Sequence, residues 1–334
     1  MSDIMYRNIL GGLVAGVIAA AVSGAAQAQA PASAPANYPN RPITMVVPLP
    51  AGGTADLLAR YTADKLRGSL GQQVVVENRA GGAGGLVGTE YVFKSAPDGY
   101  TILCAPQLTF SVSHLLFPKL SFDTRRFEPL SVLAAYPIVL LARADLPVDN
   151  LADFIAYARA NPGKINYGHQ GKGQTGHLTG ELLMLKGGFR MAEIPYRGSA
   201  PAINDLLAGQ IDIVPDYLLA NKPHIDAGKL KLLAVGSRER LKDYPNVPTF
   251  AEAFPGVYAD TWMAVVAPPG TPKEITAKVS DAIGQAFKAD DLRTRIQALL
   301  AEPLGNTPDQ MRELIRTSLQ QWGPVIEAAK ITID

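Results

Sequence analysis

Cysteine is almost absent: Cys104 stands alone in 334 residues, so no disulfide can close within the chain and stability must come from a packed core. It sits in the apolar run "YTILCAP", without a CxxC or papain-like setting, and reads as a buried, inert thiol. Histidine is scarce too. The four, His114, His169, His177 and His224, include no pair at i, i+4, and no cysteine joins them, so no metal site and no cofactor is expected. GxSxG, HExxH and SxxK are all missing, which removes the familiar nucleophile and zinc signatures and with them most hydrolase readings. An excess of one charge is also lacking. Lys+Arg 31 against Asp+Glu 30 leaves +1, and no basic run is interleaved with aromatics, so nucleic acid is not an expected partner.

Long apolar runs are confined to the start. Arg7 is followed by an uncharged stretch from Ile9 to Val22, then by "AAQAQA" (Ala25 to Ala30) with small residues at alternate positions. As a helix the stretch would span roughly 21 Å, short of a ~30 Å hydrocarbon core. This is the layout of a cleavable export signal, residues 1–28, with cleavage after Ala28. Residues 29–40 then form a Pro/Ala linker, and the mature protein is expected to be exported.

Beyond the linker the chain alternates regularly. "ITMVVPLP", "QQVVVENR" and "YTILCA" read as strands separated by helical stretches, an order that calls for a mostly parallel sheet with helices on both faces. A second set begins near Pro137 with "IVLLAR", "INYGHQ", "MAEIPY", "IDIVPD" and "KLLAVGS". Asn150 is positioned to cap one helix, and Thr271-Pro272-Lys273-Glu274 and Thr307-Pro308-Asp309-Gln310 carry start signals for two late ones. A return strand, "WMAVVAPPG", precedes those. The pattern predicts two α/β lobes, residues 41–135 plus 261–334 and residues 136–260, with the chain crossing near Leu133–Pro137 and again near Tyr258–Trp262.

In such sheets ligands collect where strands feed helix N-termini. The turn in "VVPLPAGGTADLLAR" has the glycines for close backbone approach but no Lys, so it is not a phosphate loop. Asp56 reads equally as a cap of the adjoining helix. "GGAGGLVG" (Gly81 to Gly88) has Ala83 where a dinucleotide fingerprint needs its first glycine, and reads as a flexible entry into a helix. "YGHQGKGQTGHL" (Tyr167 to Leu178) repeats the strand, glycine loop and helix order with polar side chains, and "PYRGSAP" (Pro195 to Pro201) repeats it again, with Ser199 a candidate N-cap. A Ser199–His177–Asp216 triad would require these three to meet in space. The inventory of small, hydroxyl-bearing and backbone-rich turns suits binding without chemistry.

"YPNRPITMVVPLPAGGTAD", "VVVENRAGGAGG", "APDGYTIL", "ARANPGKINYG", "PYRGSAPAINDLLAGQID" and "APPGTP", in that order from about Tyr38 to the last helix, resemble the Bug-type extracytoplasmic solute receptors of tripartite tricarboxylate transporters. The resemblance implies an α/β, two-lobed periplasmic binding protein fold (type II-like). It implies capture of a small organic carboxylate and delivery to a membrane permease. It also implies a pincer on the carboxylate made by Ala51, Gly52, Gly53, Thr54 and Asp56 on one side and by His169, Gln170, Gly171, Thr175, Gly176 and His177 on the other. Tyr196, Gly198, Ser199, Ala200 and Asp216 would line the cleft from the second lobe. The family pattern is broken at Thr54-Ala55, where Pro-Thr is usual, at Gln174-Thr175-Gly176, where hydroxyls are consecutive, and at Arg197, where Lys is common. "CAPQLTF" lacks the glycines of the third loop and leaves Gln107 and Phe110 as pocket-lining candidates. A di- or tricarboxylate and an aromatic or branched acid both fit this reading. A monomer is expected, with the same fold and site serving, as the alternative, to present a ligand to a membrane sensor.

Overall fold

The computed structural model describes residues 37–333; the expected export signal and all but the end of the expected linker lie outside them. The chain is already packed at Tyr38, whose hydroxyl donates to the Gly99 carbonyl at 2.8 Å and whose ring meets Tyr100 edge-on. No helix among the described residues is long and apolar enough to cross a membrane.

The first half runs β1 (Ile43–Val47), α1 (Thr54–Leu70), β2 (Val74–Asn78), α2 (Leu86–Phe93), β3 (Thr101–Pro106), α3 (Gln107–Ser111) and α4 (Ser113–Leu116). A long strand, β4 (Glu128–Arg143), leads to α5 (Leu151–Ala160), β5 (Asn166–His169), α6 (Thr175–Gly187), β6 (Ala192–Pro195), α7 (Ser199–Leu207), β7 (Ile213–Tyr217), α8 (Leu218–Asp226), β8 (Leu230–Val235) and α9 (Phe250–Ala253). The return is β9 (Asp260–Ala267), α10 (Lys273–Ala286), α11 (Asp290–Gln297), β10 (Glu302–Pro303) and α12 (Pro308–Ala328).

The strands join in the order β2-β1-β3-β9-β4-β7-β5-β6, with β8 and β10 also pairing β4. The margins are parallel, as the alternation predicts: β1 with β2 and β3, β5 with β6 and β7. The centre is antiparallel, because β9 and β4 return against the sheet rather than crossing over it. β4 is continuous through the region expected to be a crossing. Its first part pairs β9 as far as Pro137↔Asp260, and its second part pairs β7 from Ile138↔Tyr217 and β8 from Val139↔Val235.

Period-two alternation sends successive residues to opposite faces and builds four apolar cores. In β1, Met45 and Val47 enter one core and Val46 another. In β4, Ile138 and Leu140 enter a third, Val139 and Leu141 a fourth. Cys104 is buried, and burial pushes its thiol up to about 12, so it stays protonated and unreactive.

Caps fall where the sequence places them at two helices: the Asn150 side chain accepts from the Asp153 N–H, and Thr307 and Gln310 form a reciprocal capping box. At α10 the expectation fails. The Thr271 hydroxyl donates to the Pro268 carbonyl at 2.8 Å within its own turn, and Pro272 becomes the residue before the helix. α12 spans two of the cores. Met311 at its start packs in a core of the first half, while Trp322, Val325 and Ile326 pack among Leu116, Leu178 and Leu182.

Trp322 is fully buried at this junction. Trp322→Ala is expected to lower the unfolding free energy by about 3–5 kcal/mol, the usual cost of emptying a large aromatic site. Urea denaturation checks this; a loss below about 1 kcal/mol would mean that α12 does not fasten the fold.

Candidate functional site

A cavity of about 770 Å³ opens at the carboxyl ends of the parallel strands, where α/β sheets hold ligands. Its wall takes in the β1–α1 turn from Pro48 to Ala51 with Gly53, Thr54 and Ala55, the Ala80–Gly82 turn with Gly84 and Gly85, and the loop residues Gly173, Gln174 and Thr175. Tyr217, Leu218 and Leu219 complete one side, and Tyr136, Pro137, Thr261 and Met263 come from β4 and β9. Four helices therefore begin on the wall: α1 behind Gly53, α2 behind Gly85, α6 behind Gln174 and α8 behind Tyr217. None of the four has a side-chain cap. Their first-turn N–H groups lack intrahelical partners, although Val87 of α2 donates to the Gly81 carbonyl at 3.2 Å, and the positive end of each helix dipole lies at the wall. Among the described lining residues there is no Lys, Arg, His, Asp or Glu.

Of the residues singled out from the sequence, Ala51, Gly53, Thr54 and Thr175 line this cavity. Several of the others hold the loops that do. Asp56 is buried and turned back on its own turn: its carboxylate accepts from the Gly52 N–H at 2.9 Å and pairs Arg60 at 3.0 Å. Burial opposes ionisation there, and the Arg60 and Gly52 bonds overcome it, holding the carboxyl below its usual range. Gly176 lets α6 meet β7 closely, since a Cβ would run into Gln170 Oε1 and the Pro215 carbonyl. Gln170 donates to the Pro215 carbonyl at 2.8 Å and to Asp216 at 2.6 Å. Asp216, fully buried, also accepts from Asn221 at 3.2 Å and from the Ser199 hydroxyl. That commitment explains why Ser199 does not cap α7: Gly198 occupies the cap and Ser199 reaches across to β7. Tyr196 donates to Asp205 at 2.7 Å, and Ala200 is exposed on α7.

Gln107 is buried away from the cavity. With its amide set to satisfy every neighbour, the nitrogen donates to the Asp260 carbonyl at 3.0 Å and the oxygen accepts from Trp322 Nε1 at 3.3 Å and Ser318 at 2.7 Å. It ties α3 to α12, and Phe110 stacks on Trp262 in the core. The third loop instead presents Pro106, Leu108 and Thr109 to the cavity.

His169 and His177, eight residues apart, stack with ring centroids at 4.4 Å. With Glu193 they bring donor atoms within 4.8 Å of one another, a grouping the spacing did not reveal. Each Nδ1 accepts a backbone N–H, from Gly171 at 3.1 Å and Gly173 at 3.0 Å. A neutral ring so bonded carries its proton on Nε2, and both Nε2 atoms face Glu193 Oε1, at 2.9 and 3.2 Å. A metal at Nε2 would have to displace that last proton, so the set is built to brace the Gly171–Gln174 loop. Neither ring contacts Ser199 by hydrogen bond among the described residues, and the triad does not assemble. Burial, followed by the nearby His169 and partly offset by Glu193, lowers the His177 pKa to about 4.

Sequence reasoning missed the apolar wall: Leu108, Leu116, Phe117, Tyr217, Leu299 and Ile333 look like core residues in a linear chain. Leu300, also on the wall, is held at φ 52°, a left-handed backbone that a leucine seldom adopts.

A cavity ringed by uncapped helix ends, with the neighbouring acidic, basic and histidine side chains withdrawn behind the loops, defines a ligand receptor on an α/β scaffold. The comparisons give the same class. The model of the tripartite tricarboxylate transporter family receptor matches residues 58–331. Protein BugT of Bordetella pertussis is 39% identical over 292 residues, 86% of this chain and 89% of that one. An R. palustris protein solved with adipate is 35% identical, with a TM-score of 0.76 over 89% of this chain and all of that chain. MatC from Rhodopseudomonas palustris, solved with bound malate, is 32% identical, with a TM-score of 0.72 over 86% of this chain and all of that chain. The chain belongs to the tripartite tricarboxylate transporter receptor family. Its family and structural neighbours are solute-binding receptors rather than enzymes.

The lowered His177 pKa has a definite sign. Between its ordinary value of 6.5 and about 4 the unfolded chain takes up a proton that the folded chain refuses, so stability is full above that window and falls as pH drops through it. The loss accrues at up to about 1.4 kcal/mol per pH unit. Glu181, raised by burial, works the other way, so the quantity to read is a difference. The wild type is expected to lose melting temperature faster than His177→Asn, which keeps an acceptor near the Nδ1 position. Parallel melting curves from pH 7 to 4.5 would show that His177 does not titrate in this way.

Proposed function

We propose that the protein is a monomeric periplasmic receptor that captures a small organic carboxylate in this cavity and delivers it to a tripartite membrane permease. The observation that carries the reading is the convergence of four uncapped helix N-termini on a wall without charged side chains. Such ends bind an anion without a cation. Carboxylates bound to relatives, adipate and malate, support the ligand class, and membership of the transporter receptor family supports the partner. The segment of residues 1–28 serves export in this reading.

The carboxylate lies between the starts of α1 and α6, against the backbone of Ala51–Thr54 and Gly173–Thr175. Residues 41–135 with 261–334 form one lobe and residues 136–260 the other. The two move about the β4 and β9 crossing near Pro137 and Asp260, closing on the ligand as hinged receptors do.

Thermal shift of the mature chain, refolded free of carried-over ligand, tests this against carboxylic acids and their amides. At a hundred times Kd an acid is expected to add about 2.7 kcal/mol, its amide nothing; equal shifts from both would rule out a carboxylate anchor. Gly53→Asp probes the place. Gly53 has an ordinary extended backbone, and a Cβ would meet only the Pro50 carbonyl oxygen, at 3.9 Å. The variant is expected to fold normally and to weaken acid binding at least tenfold, since it sets a like charge at the α1 end. Retained affinity, read by calorimetry, would move the anchor elsewhere.

A further inference from the structure

Two polar atoms on the cavity wall have nothing to bond to. Tyr136 and Thr261 both line the cavity, are 8% and 5% exposed, and their hydroxyls find no partner among the described residues. The two are direct cross-strand neighbours in the antiparallel β4–β9 pair, so their side chains leave the sheet on the same face. Every other buried side-chain polar atom left unpartnered among the described residues, such as Asn221 Oδ1 or Thr124 Oγ1, belongs to a residue off this wall. Buried hydroxyls normally find partners, and a pair without one, side by side on a ligand cavity, is a place where a bound molecule supplies the bond.

We propose that Tyr136 and Thr261 form a second recognition point, and that the ligand is a carboxylate with an apolar body bearing one uncharged oxygen group, a hydroxyl or a carbonyl. This rests on the receptor reading and deepens it.

Three observations select this class. Each hydroxyl can donate or accept, so the pair matches an alcohol or a ketone with either orientation. Beside it on the two strands the wall continues with Pro137 and Met263, which suits a hydrocarbon or aromatic body. Tyr136 and Thr261 stand within strands rather than at a helix N-terminus, and no cationic side chain lines the cavity among the described residues, so a second carboxylate at this point would lack both kinds of anion partner. Burial also raises the phenol pKa of Tyr136, so it stays neutral at the pH of any extracytoplasmic compartment.

The test is a calorimetric titration of the mature chain with two matched series: hexanoate, 6-hydroxyhexanoate and adipate; benzoate, 4-hydroxybenzoate and terephthalate. In at least one series the hydroxy acid is expected to bind about tenfold more tightly than both the plain acid and the diacid, the reach of a single neutral hydrogen bond. Tyr136→Phe and Thr261→Val should each shrink the hydroxy-over-plain ratio to within about twofold. Since neither hydroxyl has a partner in the free protein, neither substitution should lower the melting temperature, and that separates a recognition role from a structural one. A diacid as the tightest ligand, an absent hydroxyl advantage, or an advantage that survives both substitutions would overturn the inference while leaving the carboxylate anchor standing. If instead the acids bind no better than their amides, the receptor reading itself fails and takes this one with it.

Discussion

Everything in this fold hangs on one strand. β4 runs without interruption from Glu128 to Arg143 and is shared by two sets of partners, β9 before Pro137 and β7 and β8 after it. A ladder cannot be slipped by one residue without exchanging its two faces. The register of β4 therefore fixes, at once, which side chains enter the four cores and which reach the cavity. Tyr136 and Pro137 arrive on the wall because Ile138 begins the pairing with Tyr217 just beyond them. α12 reinforces the same junction, with Gln107 joined to Ser318, Trp322 and Asp260 across it.

Around that junction the polar and apolar residues divide the work in an unexpected way. His169, Gln170, His177, Ser199 and Asp216 bond to neighbouring backbone, to Glu193 and to one another, which braces the loops from behind. The loops then present glycine backbone, helix ends and apolar side chains to the cavity. Rigid, pre-aimed N–H groups bind an anion without first losing side-chain freedom, which a long arginine or lysine would have to do. The buried carboxylates stay behind the loops, where their repulsion of an anionic guest is weakest.

How far the sequence revealed this depended on the range of the signal. Strand alternation and glycine-rich turns are local, and β1, α1, β5 and α6 lie where those signals put them. The Asn150 and Thr307 caps were legible for the same reason, because a cap and its partner are three residues apart. Thr271 and Ser199 had the right local chemistry and a stronger distant or neighbouring claim on the hydroxyl, in the Pro268 carbonyl and in Asp216. Pairings between distant segments left no trace. Nothing in "AYPIV" or "DTWMAV" announces that Tyr136 will face Thr261, and a cavity-lining leucine has the same periodicity as a core leucine. The stacking of His169 on His177 was hidden because the loop between them folds back on itself, bringing residues eight apart into contact where spacing rules look for three or four.

On the proposed reading, the same division lets the family pattern change at the anchor while its backbone groups remain. The exchange of Pro-Thr for Thr54-Ala55 changes side chains at the start of α1 and adds a main-chain N–H at position 54 that proline lacks, while the N–H groups of the residues that follow stay in place. α1 still begins behind Gly53 and still lacks a side-chain cap. Selectivity has to come from what does vary with the side chain, namely the apolar wall and the hydroxyls set into it. An anchor made of backbone tolerates drift; a wall made of side chains responds to it. A receptor built this way can keep its grip on the carboxylate while its preference for the remainder of the ligand changes one wall residue at a time.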